Sequence, residues 1–174
     1  MGLAPLLSVA EKIDSDVLIG GKNKAEVTFW IKEFSRLPSI DIIFVTTDDG
    51  SYGVKGFVTT ALAQLVERGE KIDLVYAIGP VVMMKSVADA TRPLGLKTIV
   101  SLNPIMVDGT GMCGGCRLTL IEDGKRVTKF ACVDGPDFNG YEVDFDEAMS
   151  RGRMYFDFER HAYEETCNLL KGAN

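Results

Sequence analysis

The chain has 174 residues, 46% of them hydrophobic, with four cysteines and a formal net charge of −6. That suffices for one substantial α/β core with a small appendage, and the acidic balance excludes a polyanion partner, because nucleic-acid binding relies on clustered Lys and Arg. No apolar run approaches the roughly 20 residues that span a bilayer, and the start lacks the charged-then-apolar order of a signal peptide, so no membrane partner and a cytoplasmic location are expected.

Apolar spacing predicts a helix over residues 3–13, a short strand over 16–19 ending at Gly20-Gly21, and a helix over 25–34. A β-rich run over 40–46 reads as a strand covered on both faces. A helix over 56–68, a strand over 74–78, a helix over 82–92 and a strand over 97–102 follow. Strands alternating with helices imply a doubly wound, mostly parallel sheet.

Beyond Asn103 the pattern changes, and a soft boundary there divides residues 1–103 from 104–174, the latter ending in a C-terminal helix. Two strand-like runs, 117–122 and 129–133, flank Glu122-Asp123-Gly124-Lys125, a hairpin signal that carries Cys132 back toward Cys113 and Cys116. Residues 144–150 and a longer helix over 158–170 complete the chain.

The chemistry concentrates between Met106 and Cys116, answered by Ala131-Cys132-Val133-Asp134-Gly135-Pro136. Thiolates bind soft metals and iron–sulfur clusters, and the plant-type [2Fe–2S] pattern runs Cys, four residues, Cys, two residues, Cys, then a distant Cys. Counting back from Cys113 lands on Asp108, so a carboxylate stands where the first thiolate would be. Gly109, Gly111, Gly114 and Gly115 suit a loop that wraps closely about inorganic sulfides, where a Cβ has no room. The spacing leaves open a tetrahedral zinc site built from the same residues, or free thiols in a glycine-rich turn. Cys167 reads as a buried or free thiol, and His161, among charged residues on a solvated helix, carries no catalytic role.

In open α/β sheets ligands bind beyond the carboxyl ends of the strands. Four loops qualify: Met1-Gly2-Leu3-Ala4-Pro5; Gly20-Gly21-Lys22-Asn23-Lys24, whose lysines meet a ribose phosphate or are simply solvated; Thr47-Asp48-Asp49-Gly50-Ser51-Tyr52-Gly53; and Gly79-Pro80-Val81-Val82-Met83-Met84.

Gly2-Leu3-Ala4-Pro5 and Ala77-Ile78-Gly79-Pro80-Val81-Val82-Met83-Met84, with the D-x4-C-x2-C and A-C-V-D-G-P segments, resemble the iron–sulfur subunits of the ferredoxin–NADP reductase superfamily. Among these are the small (alpha) subunits of NADH-dependent reduced ferredoxin:NADP oxidoreductases, also called sulfide dehydrogenase beta subunits, and the electron-transfer subunits of dihydroorotate dehydrogenases. The latter usually offer four cysteines, so Asp108 favours the former.

The resemblance implies electron transfer among NAD(H) or NADP(H), FAD and a [2Fe–2S] cluster, in complex with a larger flavin and iron–sulfur subunit, with weight toward NAD(H). Gly2, Ala4, Pro5, Gly79, Pro80 and Met83 would line the nucleotide and Asp49 would contact it, while Asp108, Cys113, Cys116 and Cys132 would hold the irons. The alternative is a zinc-bearing module without redox chemistry. Family members open with a flavin-binding barrel and a first strand that do not precede Met1, so the resemblance implies an N-terminally truncated chain, inactive alone. Loss of that strand, which normally lies between the strands at 16–19 and 74–78, predicts a rearranged sheet, an occupied gap or self-association.

Overall fold

The computed structural model describes residues 2–171, with side chains through residue 166; the side chain of Cys167 lies outside the described residues. The fold is mixed α/β and divides into two compact units. One comprises Met1–Leu102 with Asp137–Tyr141, the other Asn103–Pro136 with Glu142–Asn174.

The first unit contains α1 (Leu3–Ala10), β1 (Ser15–Gly21), α2 (Lys24–Phe34), β2 (Ile40–Thr47), β3 (Val54–Lys55), α3 (Val58–Glu67), β4 (Val75–Ile78), α4 (Val81–Thr91), β5 (Thr98–Ser101) and β8 (Asp137–Asn139). The second contains β6 (Arg117–Glu122), β7 (Lys125–Phe130), α5 (Phe145–Gly152) and α6 (Phe156–Lys171).

Helix α2 starts where Asn23, in extended conformation, accepts the Glu26 N–H at 3.2 Å, satisfying a donor that the first turn leaves free. Its inward positions Val27 and Phe34 lie seven residues apart on one face and are buried. They meet Val17 and Ile19, alternate residues of β1, and Ala10 of α1, forming a core that Leu6, Trp30, Ile31 and Ile43 surround. Helix α4 repeats the logic, burying Met84, Val87, Ala88 and Thr91 on one stripe.

The strands do not form the single sheet expected. Among the described residues the first unit has two three-stranded sheets, β1-β2-β3, all parallel, and β4-β5-β8, in which β8 runs antiparallel to β5. The interruption falls between β1 and β4, the two strands between which the resemblance puts a further strand. Helix α1 touches both β1 and β4.

Strands β3 and β8 escaped the sequence reading because segments of two and three residues carry no measurable alternation. β8 is held by side chains: Tyr76 donates to Asp137 Oδ1 at 2.7 Å, and burial together with that carboxylate pushes its phenol up to about 12. At the far end Thr98 Oγ1 bonds Thr91 Oγ1 at 2.7 Å, and the Arg92 guanidinium stacks 4.7 Å from the Tyr141 ring centre.

In the second unit the hairpin forms, with a corrected second strand: β7 begins at Lys125, not 129, and ends at Phe130, before Cys132. Asp123 and Gly124 both take positive φ (50° and 74°), the geometry of a two-residue type I′ turn, which sets Lys125 directly opposite Glu122 and starts the ladder at once. After Phe130 the chain turns back: the Val133 and Asp134 N–H groups both donate to the Phe130 carbonyl, and Asp134 Oδ2 accepts the Phe130 N–H at 2.7 Å.

Helix α5 is capped by Asp144, which accepts the Glu147 N–H at 2.9 Å and pairs with Arg126 of β7 at 2.7 Å. The Glu147 N–H first, and Arg126 with it, holds the Asp144 carboxyl below its usual range. Helix α6 begins two residues before the expected 158, and His161 lies exposed on it beside Glu165 at 3.3 Å.

Candidate iron–sulfur centre

Cys116 immediately precedes β6 and Cys132 follows β7 by one residue beyond Ala131, so the hairpin ladder brings both to its open end. The Ala131 N–H donates to the Cys116 carbonyl at 3.2 Å, extending the ladder to the thiol pair, and the two Sγ atoms stand 3.2 Å apart. Two thiolates on one tetrahedral metal, each about 2.3 Å from it, would stand about 3.8 Å apart, so a small side-chain rotation fits this pair to a shared ion. The Cys132 backbone N–H, and then its thiol, lowers the Cys116 pKa; the same contact raises that of Cys132. Both cysteines are free thiols.

The other two expected ligands lie on the loop before β6. Asp108 Oδ1 accepts the Thr110 N–H at 2.8 Å, and this bond, with smaller contributions from Cys113, lowers its pKa. Cys113 is exposed, and its Sγ accepts the Gly115 N–H at 3.4 Å, the kind of amide contact that stabilises a thiolate.

Gly109, Gly111 and Gly114 take φ of 78°, 85° and 66°, a left-handed region closed to most side chains. At Gly111 a Cβ would also stand 2.7 Å from Val133 Cγ2. Gly115 has ordinary φ, and its place is explained by crowding: a Cβ there would lie 3.2 Å from Val107 Cγ2 and 3.5 Å from Cys113 Sγ.

The four residues thus form two pairs, Cys116 with Cys132 and Asp108 with Cys113. Among the described residues no group of three or more His, Cys, Asp or Glu side chains converges as a metal site. A donor set of three sulfurs and one carboxylate, half of it within 0.6 Å of chelating distance by the figures above, still fits a thiolate-bound cluster.

The residues expected to meet a nucleotide also fall into two groups. Gly2 packs so closely on the β4–α4 junction that a Cβ would lie 2.4 Å from the Ile78 carbonyl oxygen and 2.8 Å from Gly79 Cα. Gly79 in turn carries Met83 above it, its hypothetical Cβ 2.4 Å from Met83 Cε, and Pro80 caps α4. Ala4 and Pro5 occupy the exposed first turn of α1, where the missing proline N–H costs nothing. Gly2, Gly79, Pro80 and Met83 are therefore neighbours.

Asp49 belongs to a different cluster, at the ends of β1 and β2. Its Oδ1 accepts both the N–H and the hydroxyl of Ser51, at 2.8 and 2.6 Å, which lowers its pKa. The Ser51 hydroxyl takes the Lys24 N–H at 2.8 Å, and the Lys24 ammonium sits 5.5 Å from the centre of the Tyr52 ring. Sequence reading missed Glu26, whose Oε2 accepts the Lys22 N–H at 2.9 Å in this cluster; a carboxylate three residues after an N-cap asparagine was the available signal.

Residues 103–144 match the iron–sulfur cluster binding domain of dihydroorotate dehydrogenase B. The chain is 43% identical over 169 residues to a homologue of the dihydroorotate dehydrogenase B (NAD(+)) electron transfer subunit from Thermotoga maritima, covering 94% of this chain and 57% of that protein. It is 48% identical over 141 residues to an uncharacterized protein in the adh 3′ region of Clostridium beijerinckii, covering 80% of this chain and 45% of that one. Among solved structures it matches a chain from the NADH-dependent reduced ferredoxin–NADP oxidoreductase, studied for flavin-based electron bifurcation, at 37% identity and a TM-score of 0.66, covering 89% of this chain and 63% of that chain. The chain spans about half the length of the curated relatives it matches, 57% and 45% in the two cases above. With a segment at 103–144 that matches this cluster-binding domain, the chain is similar over most of its own length to part of the dihydroorotate dehydrogenase B electron transfer subunit homologue and of the reduced ferredoxin–NADP oxidoreductase chain.

Proposed function

We propose that this chain is the nucleotide- and cluster-binding part of a flavin-dependent oxidoreductase subunit that passes electrons between NAD(P)H, FAD and a [2Fe–2S] cluster toward a larger partner subunit. The observation that carries the reading is the thiol pair at 3.2 Å on the open end of the hairpin, inside the segment that matches a cluster-binding family. A [2Fe–2S] cluster supplies one-electron steps.

In this reading Cys116 and Cys132 share one iron, and Asp108 and Cys113 take the other. Amide donors such as Gly115 N–H offset the negative charge on the sulfurs. Residues 104–174, apart from Asp137–Tyr141, which pack with the first unit, form the cluster-binding subdomain. Residues 1–103 form the partial nucleotide domain, in which Gly2, Ala4, Pro5, Gly79, Pro80 and Met83 line the nucleotide and Asp49 meets its ribose. An additional strand between β1 and β4 would join the two sheets into one doubly wound sheet in a longer protein, where FAD also binds.

Asp108 in place of a fourth thiolate favours a ferredoxin:NADP oxidoreductase partner over dihydroorotate dehydrogenase, and NAD(H) is the expected nucleotide. No helix among the described residues is long and apolar enough to cross a membrane, and exposed Cys113 suits a reducing compartment such as the cytoplasm.

Anaerobic reconstitution tests the cluster. Two irons and two sulfides per chain, with visible absorbance, are expected; a colourless protein holding one zinc would instead select the structural-metal reading. Titrating NADH and NADPH against a longer, FAD-containing form tests the nucleotide assignment.

A further inference from the structure

The hairpin holds Cys116 and Cys132 together by its own backbone, which gives the pair a chemistry separate from metal binding. Their sulfurs are 3.2 Å apart, against about 2.05 Å in a disulfide, so joining them needs side-chain rotation and no repacking of the ladder. Their exposures differ. Cys116 is 2% exposed, whereas Cys132 is half-buried in the turn that Asp134 closes.

We propose that in the metal-free chain Cys116 and Cys132 form a peroxide-responsive dithiol that closes to a reversible disulfide. Cys132 is the sulfur a peroxide reaches. Its sulfur gives up its proton and attacks one peroxide oxygen; the S–O bond forms as the O–O bond breaks, and the second oxygen leaves as hydroxide, which takes up that proton as water, giving a sulfenic acid. The Cys116 sulfur then attacks the Cys132 sulfur, the S–S bond forms, and the S–O bond breaks with loss of a second water. Overall two thiols are oxidised by two electrons and one hydrogen peroxide is reduced to two waters.

The disulfide spares Cys132 from irreversible oxidation and withdraws two ligands at once, so an oxidised chain refuses iron until it is reduced. The refusal of iron rests on the cluster reading above; the crosslink does not.

The test treats the iron-free full chain with hydrogen peroxide, blocks remaining thiols with an alkylating agent and sequences the peptides by tandem mass spectrometry. A Cys116–Cys132 link, loss of two alkylatable thiols and recovery of both with dithiothreitol are expected, with the link persisting in Cys113→Ser. In Cys132→Ser the Cys116 thiol should be consumed at least tenfold more slowly, because it is shielded. A link dominated by Cys113, or sulfinic acid at Cys132 with Cys116 still reduced, would overturn the proposal; equal rates for Cys116 in the two proteins would overturn its order of attack. A chain that crosslinks yet never accepts a cluster would sink the functional reading and leave this one standing, and the converse result would do the opposite.

Discussion

The hairpin end and the glycine loop contribute equally to the proposed ligand set, yet they are built by opposite means. Cys116 and Cys132 are positioned by a continuous antiparallel ladder, Arg117 opposite Phe130 through to Glu122 opposite Lys125, so their proximity is inherited from backbone pairing. Asp108 and Cys113 sit on a segment with no ladder, shaped by left-handed glycines and short side-chain-to-amide contacts. One half of the proposed site is a property of the fold; the other half is held by local turns alone.

The sharpest way to break this contrast is to remove ligands from each half. Cys132→Ser should abolish iron retention, since it removes a ligand whose position is already set. Asp108→Ala should leave detectable cluster with a shifted spectrum and retention reduced by roughly 10- to 100-fold, the scale on which metal sites respond to lost supporting contacts. Iron analysis and visible spectra after gel filtration read both, and equal losses would mean that the halves are equally preformed.

A second test strains the loop without touching a ligand. Gly111→Ala forces a Cβ into left-handed backbone and against Val133, which should cost about 1–2 kcal/mol locally. Cluster occupancy should fall while the hairpin's thermal unfolding changes little, and Val133→Ala added to it should restore only the steric part.

The hairpin side is probed by its electrostatics. Because Asp144 has a depressed carboxyl pKa, its stabilisation is full above the unfolded value near 3.9 and is lost as pH falls through the lower folded value. Asp144→Ala should cost about 1 kcal/mol at neutral pH, as the loss of an N-cap does, and should flatten stability against pH below about 4. A denaturant series at pH 7 and pH 3 measures this. The smallest effect is expected at His161, whose exposed pairing with Glu165 should make His161→Ala neutral within about 0.5 kcal/mol.

What the sequence made legible follows the same division. Periodicity located α2, β2 and α4 within a residue, because apolar spacing and a β-rich run are local signals. Spacing identified all four proposed ligands but implied one equivalent set. The Asp-Gly turn signal returned Cys132 toward Cys113 and Cys116 but did not say which of the two it would meet, since that depends on hairpin register and the second strand was read from 129 instead of Lys125. The interruption between β1 and β4 followed from the resemblance and not from periodicity, because a strand's hydrophobic pattern records which faces are covered, not which edges are met.

The ladder between β5 and β8 has a consequence for how this molecule can be taken apart. Ser101 and Asp137 face each other there, so the chain leaves for its cysteine-bearing excursion and returns at one rung, with Asp137 pinned by the Tyr76 hydroxyl. Seen from that rung the excursion is an oversized turn whose ends are already closed, at an entropic cost that grows only slowly with its length. A transplant of this excursion should therefore carry Glu142–Glu147 with it, since β6 and β7 are tied to those residues, while the rung of Ser101 and Asp137 stays as the fixed joint.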